Sequence, residues 1–222
     1  MLWKSAPRTP FGKELLLLLK PAKFLSAALR RRERLAAAGR EKLDVRTHSK
    51  LDRTLAIVYT DTDDFTLTVA RHGMMHFLMI FARAVRVLRP IVARHGGRLV
   101  KIEADSLLLV FKDAGRACRA VIAMAAALER VNRGKPESER VVFSFGIGFG
   151  QMLDLGHDVL GLEVNLASKL GEDRAVPGEV LFTEAAVAAL PPPLRARVEA
   201  CGHVDFTGRP TAIARLRGGV PS

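Results

Sequence analysis

Two short strands joined by a two-residue turn, with a long helical stretch on each side, leave few folds open to this chain. Arg98–Glu103 and Ser106–Phe111 read as the strands, with Ala104-Asp105 as the turn between them. A helical pattern runs from about Thr68 to His95, with Gly73 and Pro90 as candidate breaks, and Gly96-Gly97 stops it. Ala114–Val131 is an Ala-rich helix on the other side. An apolar run, Leu55-Ala56-Ile57-Val58-Tyr59, comes first as a buried strand, and Arg140–Gly150 follows, alternating through Val142, Phe143, Phe145, Ile147 and Phe149. The order β-α-β-β-α-β predicts an α+β, ferredoxin-like split βαβ fold, one antiparallel sheet with its helices on one face. Smaller elements follow: a helix from about Glu163 to Leu170, a strand at Glu179–Thr183, a helix at Glu184–Leu190, and strands near His203–Phe206 and Thr211–Leu216.

At 222 residues and 49% hydrophobic, the chain has length for one domain with an appendage, and composition excludes a wholly disordered protein. Residues 1–54 read as a basic helical and linker segment, and residues 55–222 as the domain. Charge supports that division. Met1–Thr54 carries 14 Lys/Arg against 5 Asp/Glu, whereas the rest is nearly balanced, so most of the net +12 belongs to the segment. Phe24, Leu25, Ala28, Leu29 and Leu35 recur at helical spacing from Ala22 to about Leu43, with Arg30, Arg31, Arg32 and Arg34 on other faces. Such a helix can lie on an anionic membrane surface, dimerise, pack on its own domain, or end a coupling helix; residues 44–54 read as a linker. The run Leu15–Leu19 is too short for a secretory signal or a spanning helix. Cys118 and Cys201 form no metal or disulfide pattern. The expectation is a reducing cytosol, with the basic segment able to hold the chain at the inner face of a membrane, and no nucleic acid as partner.

Asp61 ends the first strand, and Asp105 sits in the hairpin that a ferredoxin-like sheet places beside it. Two carboxylates on separate rigid elements suit Mg²⁺ or Mn²⁺, which keep the rest of their shell for water and phosphate oxygens. Two such ions can serve an in-line phosphoryl displacement. Phe65-Thr66 opens the next helix, whose first backbone amides offer an anion site. Taken singly, either aspartate reads as a cap or turn residue; the pair at corresponding places in one fold carries the metal reading.

Five stretches in order give this region a resemblance to the catalytic domain of class III nucleotidyl cyclases, the adenylate and guanylate cyclases. Asp61-Thr62-Asp63-Asp64-Phe65-Thr66 resembles the first metal motif. Gly96-Gly97 with Lys101-Ile102-Glu103-Ala104-Asp105 resembles the GG…KxxGD stretch. Gly146-Ile147-Gly148-Phe149-Gly150 resembles the GIxxG strand. Asp158 through Leu170 resembles DxxGxxVNxAxRL, and Pro177-Gly178-Glu179-Val180-Leu181 resembles PGxI. The resemblance covers roughly residues 55–216.

The resemblance implies that Asp61, Asp105 and the backbone carbonyl of Thr62 hold two Mg²⁺ or Mn²⁺ ions. It implies that Lys101 and Asp158 recognise adenine, that Asn165 orients the ribose, and that Lys169 stands where the family has its transition-state arginine. Phe65 and Thr66 lie at the phosphates, and Arg209 is a candidate triphosphate contact. Lys and Asp complement the ring-nitrogen acceptor and amino donor of adenine, which favours ATP over GTP. The implied activity is an adenylate cyclase forming 3′,5′-cyclic AMP and pyrophosphate at a head-to-tail homodimer interface. The alternatives are a guanylate cyclase, or a non-catalytic or weakly active module that binds nucleotide and regulates a partner. Three departures stand out: Asp64 and Ala104 replace glycines, and Lys169 replaces an arginine and with it the planar bidentate fork.

Overall fold

The computed structural model describes residues 24–218. The Leu15–Leu19 run and the start of the basic segment lie outside the described residues. The chain divides into two compact units. One runs to Arg53 and takes in Leu153–Leu160; the other spans Thr54–Met152 and continues from Gly161.

In the first unit, helix α1 (24–33) and helix α2 (Ala37–Leu51) are joined by a tight turn. Arg32 Nε donates to Asp44 Oδ1 at 2.7 Å, and the Lys50 ammonium sits 4.6 Å from the centre of the Phe24 ring, which holds the two helices together. The expected single helix to Leu43 and linker over 44–54 are therefore corrected: the helix breaks near Arg34-Leu35, and α2 continues to Leu51, where strand β1 begins at once. The only buried residue of α2 is Leu51, so the helix shows no apolar stripe by which a sequence pattern would announce it. Among the described residues no helix is long and apolar enough to cross a membrane.

In the second unit, the elements follow the predicted order. Strand β1 (Asp52–Thr62) leads to helices α3 (Phe65–His72) and α4 (Met74–Arg94), which break at Gly73, where φ is +87°. Pro90 lies inside α4 and does not end it, because Leu88 and Val92 on either side are buried. Strands β2 (Arg98–Glu103) and β3 (Ser106–Phe111) form the hairpin, followed by helix α5 (Ala114–Asn132). Strand β4 (Phe143–Asp154) ends in a pairing with β5 (Val159–Leu160), and β5 with those last residues of β4 belongs to the first unit. Helix α6 (Leu162–Lys169) passes into one π-helical turn, Leu170–Arg174. Strand β6 (Val180–Thr183), helices α7 (Glu184–Ala188) and α8 (Pro192–Arg195), and the hairpin of β7 (Val198–Phe206) and β8 (Arg209–Leu216) complete the chain.

The strand order is β2-β3-β1-β4-β6-β8-β7, and its first four strands are the ferredoxin-like set. β1 and β3 are antiparallel, with Ala56 opposite Phe111 and Thr60 opposite Leu107. β4 and β6, however, are parallel, so the sheet is mixed and not wholly antiparallel as expected.

Side-chain alternation assigns each face. Ala56, Val58, Leu107, Leu109, Phe111, Phe143, Phe145, Ile147, Val180 and Phe182 share one buried cluster with α4 and α5. The other face of β4 carries Ser144, Gly146 and Gly148, and α6 packs there at backbone distance. A Cβ on Gly146 would stand 2.0 Å from the Ala167 carbonyl oxygen, and one on Gly148 would stand 2.7 Å from that of Glu163. Glu163 pins the start of α6, accepting from Phe149 N at 3.0 Å and Thr183 Oγ1 at 2.7 Å. Ser144 Oγ donates to the Gly171 carbonyl at 2.7 Å and ties down the other end. α4 and α5 lie on one face, as expected, and α6 adds a layer on the opposite one.

Candidate active site at the carboxylate end of the sheet

β1 and the β2–β3 hairpin deliver Asp61 and Asp105 to one end of the sheet. Thr62 Oγ1 donates to Asp105 Oδ2 at 2.6 Å, and Ser106 Oγ donates to Asp61 Oδ1 at 3.2 Å. The two strands therefore exchange side-chain bonds at the site: each carboxylate is oriented by a hydroxyl from the other. Thr60 Oγ1 accepts from Leu107 N one step deeper, fixing the register. Burial first, and then the Asp105 and Glu172 charges, push the Asp61 carboxyl up to about 6, against the downward pull of the Ser106 hydroxyl. Burial and the charge of Asp64 likewise raise Asp63.

Both family glycines that this chain lacks sit in left-handed backbone. Asp64 has φ +57° and Ala104 has φ +50°. The turns of the site keep the glycine geometry and hold it with residues that ordinarily avoid it.

Asp64 caps the start of α3 through its backbone, its carbonyl accepting from Thr68 N at 2.8 Å. The first amides of α3 belong to Phe65, Thr66 and Leu67. The Phe65 ring stacks edge-on against Phe77 at 4.6 Å, so its side chain serves the core, and what the residue could offer an anion is its backbone amide. Lys101 Nζ lies 2.9 Å from Glu103 Oε1. Asn165 and Lys169 are four residues apart on α6 and share one helix face; Lys169 Nζ lies 3.6 Å from Asp173 Oδ2. Asp158 belongs to the other unit, where its carboxylate accepts from Val159 N at 2.8 Å.

Arg209 stands apart. β4 starts beside the end of β1, where Asp63 N donates to the Val142 carbonyl. β6 runs parallel to β4 and β8 antiparallel to β6, so Arg209, at the start of β8, lies at the sheet end opposite Asp61. Two residues that sequence reasoning passed over, Ser106 and Glu172, also reach the site, as does the hydroxyl of Thr62, of which only the carbonyl was singled out. Ser106 and the hydroxyl of Thr62 orient the carboxylates. Glu172, carried on the π turn, adds negative charge toward Asp61 and Tyr59 and accepts from Ser168 Oγ at 2.6 Å. A π turn has no sequence signature that would have shown Glu172 reaching β1.

A ferredoxin-like core extended by a second hairpin, with a glycine-seated helix on its other face, is the fold of adenylate and guanylate cyclase domains. The comparisons with known proteins agree. The adenylate/guanylate cyclase/hydrolase from Silicibacter pomeroyi superposes with a TM-score of 0.65 at 21% identity, over 75% of this chain and 97% of that one. The adenylyl cyclase CyaB from P. aeruginosa gives 0.63 at 20% identity, over 74% and 94%. In sequence, the chain is 31% identical over 140 residues to the adenylate cyclase of Streptomyces coelicolor, covering 63% of this chain and 35% of that protein. It is also 31% identical over 161 residues to the serine/threonine-protein kinase pkn2 of Myxococcus xanthus, covering 71% of this chain and 19% of that protein. The match thus spans about a fifth to a third of these curated relatives. No family model matches the chain.

Proposed function

We propose that this chain is an adenylate cyclase that converts ATP to 3′,5′-cyclic AMP and pyrophosphate. The observation that carries the proposal is the pairing of Asp61 with Asp105 at one sheet end, each held by a hydroxyl from the neighbouring strand. A carboxylate raised by burial and by the charge of a second carboxylate beside it is a fitting seat for a divalent cation. Among the described residues no cluster of three or more His, Cys, Asp or Glu could hold a metal. The pair, with the Thr62 carbonyl, suits Mg²⁺ or Mn²⁺, which keep the rest of their shell for water and phosphate oxygens. Two such ions, when bound, activate the ribose 3′-hydroxyl and neutralise the leaving pyrophosphate.

The chain's own groups take the remaining roles. The amides of Phe65 and Thr66 receive phosphate oxygens at the start of α3. Lys101 donates to the adenine ring nitrogen and Asp158 accepts from its amino group. Asn165 orients the ribose, and Lys169 brings positive charge to the α-phosphoryl group as the 3′-oxygen bonds to phosphorus and the bond to pyrophosphate breaks. The family arrangement divides these duties between protomers, so the active form is a homodimer. Because Arg209 sits at the far end of its own sheet, any triphosphate contact it makes comes from the second copy.

The experiment is direct: assay purified protein with Mn²⁺ and either ATP or GTP for cyclic nucleotide. Cyclic AMP in excess of cyclic GMP is expected. Preferred turnover of GTP would replace the substrate, and no product from an intact dimer would leave a nucleotide-binding regulatory module instead.

A further inference from the structure

β2 is not a regular strand. Leu99 pairs with Leu109, yet the next pair is Lys101 with Leu108, so Val100 is an extra residue opposite a single step of β3. The consequence follows from the two-residue period of a strand. Leu99 packs into the cluster under α4 and α5, and without the bulge Lys101 would point to that same buried face. The bulge turns Lys101 and Glu103 to the other face, in rows with Leu108 and Ser106. Tyr59 lies opposite Leu108 on the remaining neighbour, β1, so Lys101, Leu108 and Tyr59 form one row across three strands.

One carboxylate spans this row. Glu103 Oε1 accepts from Lys101 Nζ at 2.9 Å, and Glu103 Oε2 accepts from the Tyr59 hydroxyl at 3.3 Å. Tyr59 is 8% exposed, so its hydroxyl is a fixed post for the more exposed glutamate. A lysine is otherwise a flexible point charge with no preferred direction.

We infer that Glu103, anchored by Tyr59, is a positioning residue that holds the Lys101 ammonium in place to donate to a purine ring-nitrogen acceptor, and so sets the preference for adenine. The inference rests on the base-reading role proposed for Lys101 and deepens it. A fixed donor rewards an acceptor at that ring position and rejects the N–H that guanine presents there. Glu103 touches no substrate in this scheme and acts only through Lys101.

The test uses the full-length protein with Mn²⁺, following turnover and ATP-binding titrations together. Glu103→Ala should raise KM for ATP roughly tenfold and lower the ATP-over-GTP ratio by a similar factor, with kcat within about twofold, as loss of one charge-assisted hydrogen bond implies. Tyr59→Phe should shift KM in the same direction by roughly threefold, and Glu103→Gln, whose amide oxygen still accepts from Lys101 while its NH₂ donates to the Tyr59 oxygen, should restore most of the affinity. Lys101→Ala is the reference. If it weakens ATP binding while Glu103→Ala leaves affinity and selectivity unchanged, the positioning role is overturned and the base reading stands. If Glu103→Ala loses only GTP turnover, the carboxylate itself reads guanine and the inference is likewise overturned. If Lys101→Ala leaves ATP binding and selectivity intact, the base reading fails and takes the inference with it.

Discussion

The two faces of β4 are built on opposite principles. Phe143, Phe145 and Ile147 fill the face under α4 and α5 with large side chains, and all three are essentially inaccessible to solvent. Ser144, Gly146 and Gly148, one residue out of step, present almost nothing, and α6 takes up the space with its backbone. On β1 the same division runs through Ala56 and Val58 on one side and Ile57, Tyr59 and Asp61 on the other. The first face supplies burial, the dominant favourable term in folding. The second gives up side-chain volume to bring α6, with Asn165 and Lys169, close against the strands of the carboxylate pair. Stability and site geometry are thus carried by alternate residues of the same strands, and substitutions one position apart should separate them.

The largest effect belongs to the carboxylates. Asp61→Asn or Asp105→Asn should lower turnover by at least about a thousandfold while leaving the fold intact, as expected when charge stabilisation of the transition state is removed. Stability should move the other way for Asp61. Its carboxyl titrates near 6 in the folded chain against an ordinary 3.8, so the folded state binds more protons between those values. Stability then falls as pH rises through that window and stays lower above it. In EDTA, Asp61→Asn should raise Tm at pH 7.5 and hardly change it at pH 4; equal shifts at both would contradict the link.

On the apolar face, Phe145→Ala should cost about 3–5 kcal/mol in denaturant titrations, with whatever remains folded still active per molecule. On the other face, Gly146→Ala should cost about 1–3 kcal/mol, because its Cβ meets a backbone oxygen that cannot rotate away. Its activity should fall further than its folded fraction, since α6 must shift to admit the methyl group. A loss of activity that merely tracks folding would dissolve the distinction between the faces. The smallest effect is at the hairpin: Ala104→Gly should gain up to about 1 kcal/mol by relieving left-handed backbone, with activity kept.

Much of this was legible in the sequence, for particular reasons. β2 and β3 fall where the pattern placed them, because Gly96-Gly97 ends a long helix and the hairpin turn is short. The carboxylate pair was legible because topology alone makes β1 and the hairpin neighbours. Asp64 and Ala104 were visible as replaced glycines, though not the left-handed backbone they both adopt. What stayed hidden leaves no side-chain periodicity. α2 buries only Leu51, and so its second half reads as a linker. Gly146 and Gly148 matter through a missing atom, and α6's place on the opposite face follows from that absence. The bulge at Val100 is a matter of register, and a strand read as regular would send Lys101 to the wrong side of the sheet.

The left-handed turns at Asp64 and Ala104 have a consequence in the genetic code. Every aspartate codon and every alanine codon lies a single base from a glycine codon, so relief of either turn is always within reach of one point mutation. A library made by error-prone copying and selected for heat resistance should return glycine at these two positions independently and early, ahead of any repair of the core that needs coordinated changes.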